Sequence, residues 1–221
     1  MPGIVKFLKN KVSAMKSWLL SLQLLFSLNP AYTKYVLSQL KRTNFCRNFD
    51  PKERNKWLIE KLSEIAPAPA YKSVLAIGSR NKIEIDCLKE KKYEKVTGID
   101  LVSNHPGIMV MDMHKMSFSD GSFDIVYCAH SLEHAFDAGK AAKEIIRVAR
   151  NGAIIAIEIP VKYSTDTVDL IDFKNSNNLL GLFRPALKKV FWNEEQPAKS
   201  QRNITDTAVV RTIFSITKNG K

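Results

Sequence analysis

Only three of the 221 residues are cysteines (Cys46, Cys87 and Cys128), and no two share a C-x-x-C spacing. An odd number of widely separated thiols excludes a disulfide scaffold and a zinc site of standard spacing, and it fits a reducing, cytoplasmic compartment. No run of 18 apolar residues occurs, so no transmembrane helix is expected. No acid occurs in the first 49 positions. No G-x-G-x-x-G follows the first predicted strand, which disfavours a dinucleotide oxidoreductase. Low complexity is absent too: 45% hydrophobic and 25% charged residues are ordinary for a chain that buries a core. The length suits one large domain, or one domain with an appendage.

What is present is positive charge, unevenly placed. The net charge is +12, and residues 1–56 hold nine of that excess, with eleven Lys and Arg against Asp50 and Glu53. The remaining 165 residues are nearly balanced at +3. Within this arm Ile4, Phe7, Leu8, Val12, Met15, Leu19, Leu22 and Phe26 recur at intervals of three and four, one face of a helix. The pattern stops at Asn29-Pro30, and a second helical stretch runs from Ala31 to Lys41. Four readings are open. The arm packs on the main domain as a cap, lies on an anionic membrane surface through residues 1–30, serves as a targeting segment, or attracts nucleic acid. The last is disfavoured, because no stacking motif accompanies the charge.

Asp50-Pro51 reads as an N-cap and first-turn proline, with Glu53 three residues after the cap and Trp57, Leu58, Leu62 and Ile65 as the packing face. The run Ala66-Pro67-Ala68-Pro69-Ala70 ends that helix. The domain boundary is placed there, dividing a basic helical region, 1–69, from a domain at 70–221. Beyond it, short apolar runs alternate with helical patterns. Strands are expected at 73–77, 96–99, 108–111, 123–128 and 153–157, the last stopped at Pro160, with helices at 81–92 and 138–149 between them. Val190-Phe191-Trp192 and residues 208–216 read as two final strands, with Phe191 and Trp192 expected in the core in preference to a substrate wall. Such alternation implies an α/β fold, a doubly wound, mostly parallel sheet whose ligand lies beyond the carboxyl ends of the strands.

The residues at those ends carry the chemistry. The first strand leads to Gly78-Ser79-Arg80-Asn81, the second to Asp100, the third to Asp112-Met113-His114 and the fourth to Ala129-His130-Ser131-Leu132-Glu133-His134. A carboxylate at the second tip can accept from both hydroxyls of a ribose. A small residue with free backbone N–H groups after the first strand lets a charged ligand approach. The pattern suits an adenosine-like ligand.

The run VLAIGSRN, VTGIDL, MVMDMHKMSFSDGSFDIVYCAHSLEH and AAKEIIRVARNGAIIAIEIP, in that order, resembles the class I S-adenosylmethionine-dependent methyltransferases. The resemblance covers residues 73–160 and implies a Rossmann-like fold with an N-terminal helical extension and S-adenosylmethionine as cofactor. It places Gly78 and Ser79 beside the methionine part, Asp100 on the ribose, Leu101 beside the adenine, and Asp112 and Met113 around the adenine, the aspartate accepting from its amine. Ala129 and His130 would floor the site near the sulfonium. The sequence departs from the family at Ala76, where an acid is usual, and at Arg80 and Lys82, where glycines are usual. That acid helps hold the cofactor's ammonium group, and Arg80 is positioned to pair with the cofactor carboxylate instead.

Methyl transfer needs in-line alignment more than covalent chemistry. For a hydroxyl acceptor a base helps, and His130 and His134 are the candidates. The alternative is that His134 caps the following turn and Glu133 anchors it. Asp124 is expected to brace a neighbouring loop, His105 and His114 to be loop residues, and Cys128 to be a strand-end residue. The expected acceptor is a small molecule or a glycan- or lipid-linked intermediate, methylated at oxygen. Two alternatives stand beside it, a noncatalytic methyltransferase-like partner and an RNA methyltransferase.

Overall fold

In the computed structural model, residues 29–45, 52–103 and 105–218 are described. The amphipathic pattern of residues 1–28, Cys46 and the Asp50-Pro51 cap lie outside them. The elements in chain order are α1 (Pro30–Phe45), α2 (Lys52–Ile65), β1 (Ser73–Ile77), α3 (Ile83–Glu90), β2 (Lys95–Asp100), β3 (Ile108–Val110), β4 (Phe123–Ala129), α4 (Ala138–Val148), β5 (Ala149–Val161), α5 (Ser176–Gly181), β6 (Leu187–Gln196) and β7 (Ala208–Ile216). The strands form one sheet in the order β3-β2-β1-β4-β5-β7-β6. Strands β1 to β5 pair in parallel, and β7 runs antiparallel to both β5 and β6.

Helices cover both faces, so the central strands are apolar on both sides, and every residue of β4 is buried. Alternation then sorts the core. Leu75, Ile77, Val126, Cys128, Ile155 and Ile157 pack toward α4, which contributes Ala141, Ala142, Ile145 and Val148. Val74, Ala76, Ile125, Tyr127, Ile154 and Ala156 pack toward α2 and α3, which contribute Leu58, Leu62, Ile85 and Leu88. The apolar face of α2 is therefore part of the same core as β1. Helix α4 begins where the Asp137 side chain accepts from Lys140 N at 2.9 Å.

Several boundaries differ from expectation for local reasons. Helix α3 is shorter because Lys82 and Lys92, at φ 74° and 70°, stand in the left-handed region on either side of it. Pro160 does not stop β5: pairing with β4 ends at Glu158, and the proline continues alongside β7 only. Phe191 is 41% exposed on the edge strand β6, which corrects its expected place in the core, whereas Trp192 packs partly buried against the α2 side. Asp124 does brace its neighbours, accepting from Lys72 N, Ser73 N and Ser73 Oγ and pairing with Arg150. Arg147 of α4 fixes the loop before β4 through Met116 O and Phe118 O. That loop carries the residues between Asp112 and β4.

Candidate functional site

The tips of β1, β2, β3 and β4 converge on two adjoining cavities. The smaller, of about 50 Å³, is lined by Gly78, Arg80, Asp100, Leu101, Asp112 and Met113, together with Tyr35 and Gln39 of α1. The larger, of about 300 Å³, is lined by Gly78, Arg80, Ala129, His130 and His134, with Arg42, Arg54, Glu84, Glu133 and Asp169 around them. Nine of the ten residues expected at the site therefore line one cavity or both. The tenth, Ser79, is buried beneath them and donates its hydroxyl to Ala76 O at 3.2 Å.

Gly78 is at φ 80°, and a Cβ there would lie 1.8 Å from Ser131 Oγ, so only glycine lets the first tip pass the fourth. The expected free N–H groups are not found. Gly78 N and Ser79 N both donate to Ile99 O, Arg80 N to Gly78 O, and Lys82 N to Ser79 O. The loop closes on itself, and charge recognition falls to side chains. Arg80 Nε, Glu84 Oε2 and Glu133 Oε2 are buried without a hydrogen-bond partner beside the larger cavity. Burial raises the Glu84 carboxyl above its ordinary range, against the pull of Arg54 and of Asn55, whose Nδ2 donates to Oε1.

Asp100 closes β2, and its Oδ1 accepts from Val102 N at 2.9 Å. Burial pushes its carboxyl up, against the lowering effects of Val102, Arg80 and His134. Asp112 differs. Burial would raise it, but His114 and Tyr32 outweigh burial and hold it low. His114 N and Nδ1 meet Oδ1 at 2.9 and 2.5 Å, and Tyr32 donates its hydroxyl to Oδ2 at 2.5 Å. The other ring nitrogen of His114 accepts from Asp137 N at 3.1 Å, so His114 is a built part of the site, beyond the loop role expected of it.

Helix α1 lies across this end of the cleft. Tyr32 and Tyr35 pack on Phe136, and Gln39 donates to Val168 O at 3.1 Å. Sequence reasoning missed these residues because it set the helix apart from the sheet. Their only signal was a pair of tyrosines three apart on an otherwise unremarkable helix.

Beyond β4, His130 stands at φ 49° with its N–H on Glu158 O at 2.8 Å and Nε2 on Glu158 Oε1 at 2.7 Å. His134 Nδ1 faces Asp169 Oδ1 at 2.9 Å and Val168 O at 3.1 Å. Burial would lower His134, but Glu133 and Asp169 raise it overall. Glu158 and Arg211 were also missed. Glu158 interrupts the apolar run 153–161 and Arg211 is the single charge of β7, of opposite sign, and that was the available clue. Cys128 is fully buried and burial pushes its thiol up, so it is no nucleophile. Among the described residues no cluster could hold a metal ion, and no helix is long and apolar enough to cross a membrane.

Residues 75–157 match the family described as Methyltransferase domain. A 48-residue segment is 44% identical to ajmaline N-methyltransferase of Rauvolfia serpentina, a match that spans 22% of this chain and 16% of that protein's length. The fold is similar to 1,6-didemethyltoxoflavin-N1-methyltransferase of Burkholderia thailandensis, solved with bound 1,6-didemethyltoxoflavin and S-adenosylhomocysteine. The TM-score is 0.66 at 13% identity, over 85% of this chain and 89% of that one. It is also similar to a chain from the complex of the Haloferax volcanii Trm112 methyltransferase activator with a methyltransferase. There the TM-score is 0.58 at 15% identity, over 83% and 96% of the two chains. Residues 75–157 thus match a methyltransferase domain, and the seven-stranded fold around them is similar to that of solved methyltransferases.

Proposed function

We propose that the chain transfers the methyl group of S-adenosylmethionine to a hydroxyl of a small molecule or of a glycan- or lipid-linked intermediate. The observation that carries the reading is the pair of carboxylates, Asp100 and Asp112, at the tips of β2 and β3 in one cleft. Asp100 Oδ2 has no protein donor among the described residues and fits a ribose hydroxyl. Asp112 and Met113 would receive the adenine. The partnerless Arg80 Nε and Glu84 Oε2 suit the two ends of a zwitterionic amino acid, carboxylate and ammonium. Glu84 would thereby take the role of the acid that Ala76 lacks. S-adenosylmethionine supplies an electrophilic methyl group; the chain orients it and manages the acceptor's proton. His130 at the floor of the larger cavity is the base for a hydroxyl acceptor, and an amine acceptor is the necessary comparison in any screen. The basic arm at 1–28 supports a location on anionic membrane, where a lipid-linked acceptor would be found.

A second reading, a noncatalytic partner, is favoured by a different observation. Both oxygens of Asp112 already have donors, and the nucleoside end of the cleft holds about 50 Å³, against the roughly 300–1,000 Å³ of ordinary ligand sites. Calorimetric titration with S-adenosylmethionine and S-adenosylhomocysteine separates the two. Micromolar binding that Asp100→Ala removes without unfolding supports the enzyme. No binding by folded wild-type protein rejects it.

A further inference from the structure

Glu158 lies in the middle of β5, 0% exposed, between neighbours Ile157 and Ile159. Arg211 lies directly opposite on β7, 1% exposed, and its Nε donates to Glu158 Oε2. Behind it, Glu194 of β6 faces Arg211 Nη1 at 3.4 Å and holds Arg202 Nη2 at 2.6 Å. A buried ion pair of this kind contributes little net stability, because desolvation offsets its attraction, and an apolar pair would pack as well. Its position next to the cleft is what distinguishes it. The second oxygen of Glu158 meets His130 Nε2, while the backbone carbonyl of Glu158 holds the His130 N–H. His130 is thus tied to one residue at two points, in the left-handed conformation that few non-glycine residues adopt.

We propose that Glu158 and Arg211 are positioning residues that lock neutral His130 as the Nε2–H tautomer, leaving the Nδ1 lone pair as the site that takes a proton from the acceptor. The inference rests on the reading of His130 as the base. An ionised carboxylate only accepts hydrogen bonds, so Nε2 must donate to it and Nδ1 is left bare. Burial would raise the Glu158 carboxyl, but His130 and then Arg211 outweigh burial and hold it low. On the other side of the ring Glu133 Oε1 lies 3.8 Å from Nδ1 and the same distance from His134 Nε2. A proton arriving at Nδ1 therefore forms an imidazolium between two carboxylates. In the reaction the acceptor O–H proton passes to Nδ1 while that oxygen forms the new O–CH₃ bond. The C–S bonding pair leaves with the sulfur.

Long-range ¹H–¹⁵N correlation of the four histidines in the full chain tests this without acceptor or cofactor, His130 being assigned from the peaks lost in His130→Gln. In the neutral wild-type ring the Nε2–H form should be in excess by ~10-fold or more. In Glu158→Gln the amide oxygen stays with Arg211 and the NH₂ turns to His130, so the ring should reverse to Nδ1–H. An Nδ1–H ring or an even mixture in the wild type overturns the proposal, as does an unchanged tautomer in a folded Glu158→Gln. If Glu158→Gln fails to fold, the wild-type spectrum alone decides. Turnover retained by His130→Gln would instead remove the base reading, and that failure is seen separately from the tautomer.

Discussion

At the scale of single residues, the site shows two carboxylates treated in opposite ways. Asp100 is buried with one hydrogen bond and sits above its ordinary range, whereas Asp112 is buried with donors on both oxygens and sits below it. The Tyr32 hydroxyl occupies Asp112 Oδ2, so in the proposed site the phenol and an adenine amine would compete for that oxygen. Tyr32→Phe removes the competitor and leaves the ring's packing on Tyr35 and Phe136. Affinity for S-adenosylhomocysteine should then rise by roughly 3–10-fold, the range of one hydrogen bond of ~0.5–1.5 kcal/mol, as read by calorimetry. Unchanged or weaker affinity would mean that the phenol does not exclude the nucleoside. The same scale shows why some residues were readable and others not. Asp100 and Asp112 stand where apolar runs stop, and position along the chain is enough to find them. Glu158 and Arg211 meet only because β7 lies beside β5, and no local pattern states which strands are neighbours.

Among the elements, the parallel strands were the most readable, since both faces are covered and each run is apolar throughout. Ends were less so. A left-handed Lys82 starts α3 late, and a one-sided ladder carries β5 through Pro160. Residues 208–216 were expected to be a final strand, and β7 is that strand, running antiparallel to β5. Helix α2 reads as part of an N-terminal region by composition, yet Leu58 and Leu62 are fully buried against the sheet. The linker's prolines mark a change of composition, not a change of core. Leu62→Ala should accordingly cost ~2–5 kcal/mol of unfolding free energy by urea titration in one cooperative transition. A loss below ~1 kcal/mol, or a separate early transition, would show α2 to be an independent unit.

For the whole molecule, charge decides two outcomes. Asp100 and Glu84 have folded-state values above their unfolded ones, so the folded chain binds their protons more tightly. Their contribution to stability falls as pH rises from the unfolded value of ~4 through the raised folded value, and the deficit remains at neutral pH. Asp100→Asn removes the titrating carboxyl and with it that deficit. Its Tm at pH 7 should exceed the wild type's by ~2–4 °C for each kcal/mol regained, a gain that should shrink below pH 4. A lower Tm at pH 7 would show that the carboxylate supports the fold. The second outcome concerns the excess of basic residues in 1–56. Removing residues 1–28 should weaken sedimentation with phosphatidylserine-containing vesicles and leave that with neutral vesicles unchanged, most clearly at low salt. Equal binding with and without these residues would end the membrane reading.

The placement of β7 has a consequence for synthesis. This strand is made after β6 but lies between β5 and β6 in the sheet. While the ribosome extends the chain at ~5–20 residues per second, β5 presents an open edge and β6 has nothing to join. Throughout that interval Glu158 lacks Arg211, its counterion, because residue 211 has not yet emerged. The nascent sheet is thus left with an unpaired strand edge and an uncompensated acid at the place where the finished protein holds His130. Closing that edge and completing the His130–Glu158–Arg211 contacts are one event, and both wait for the release of β7.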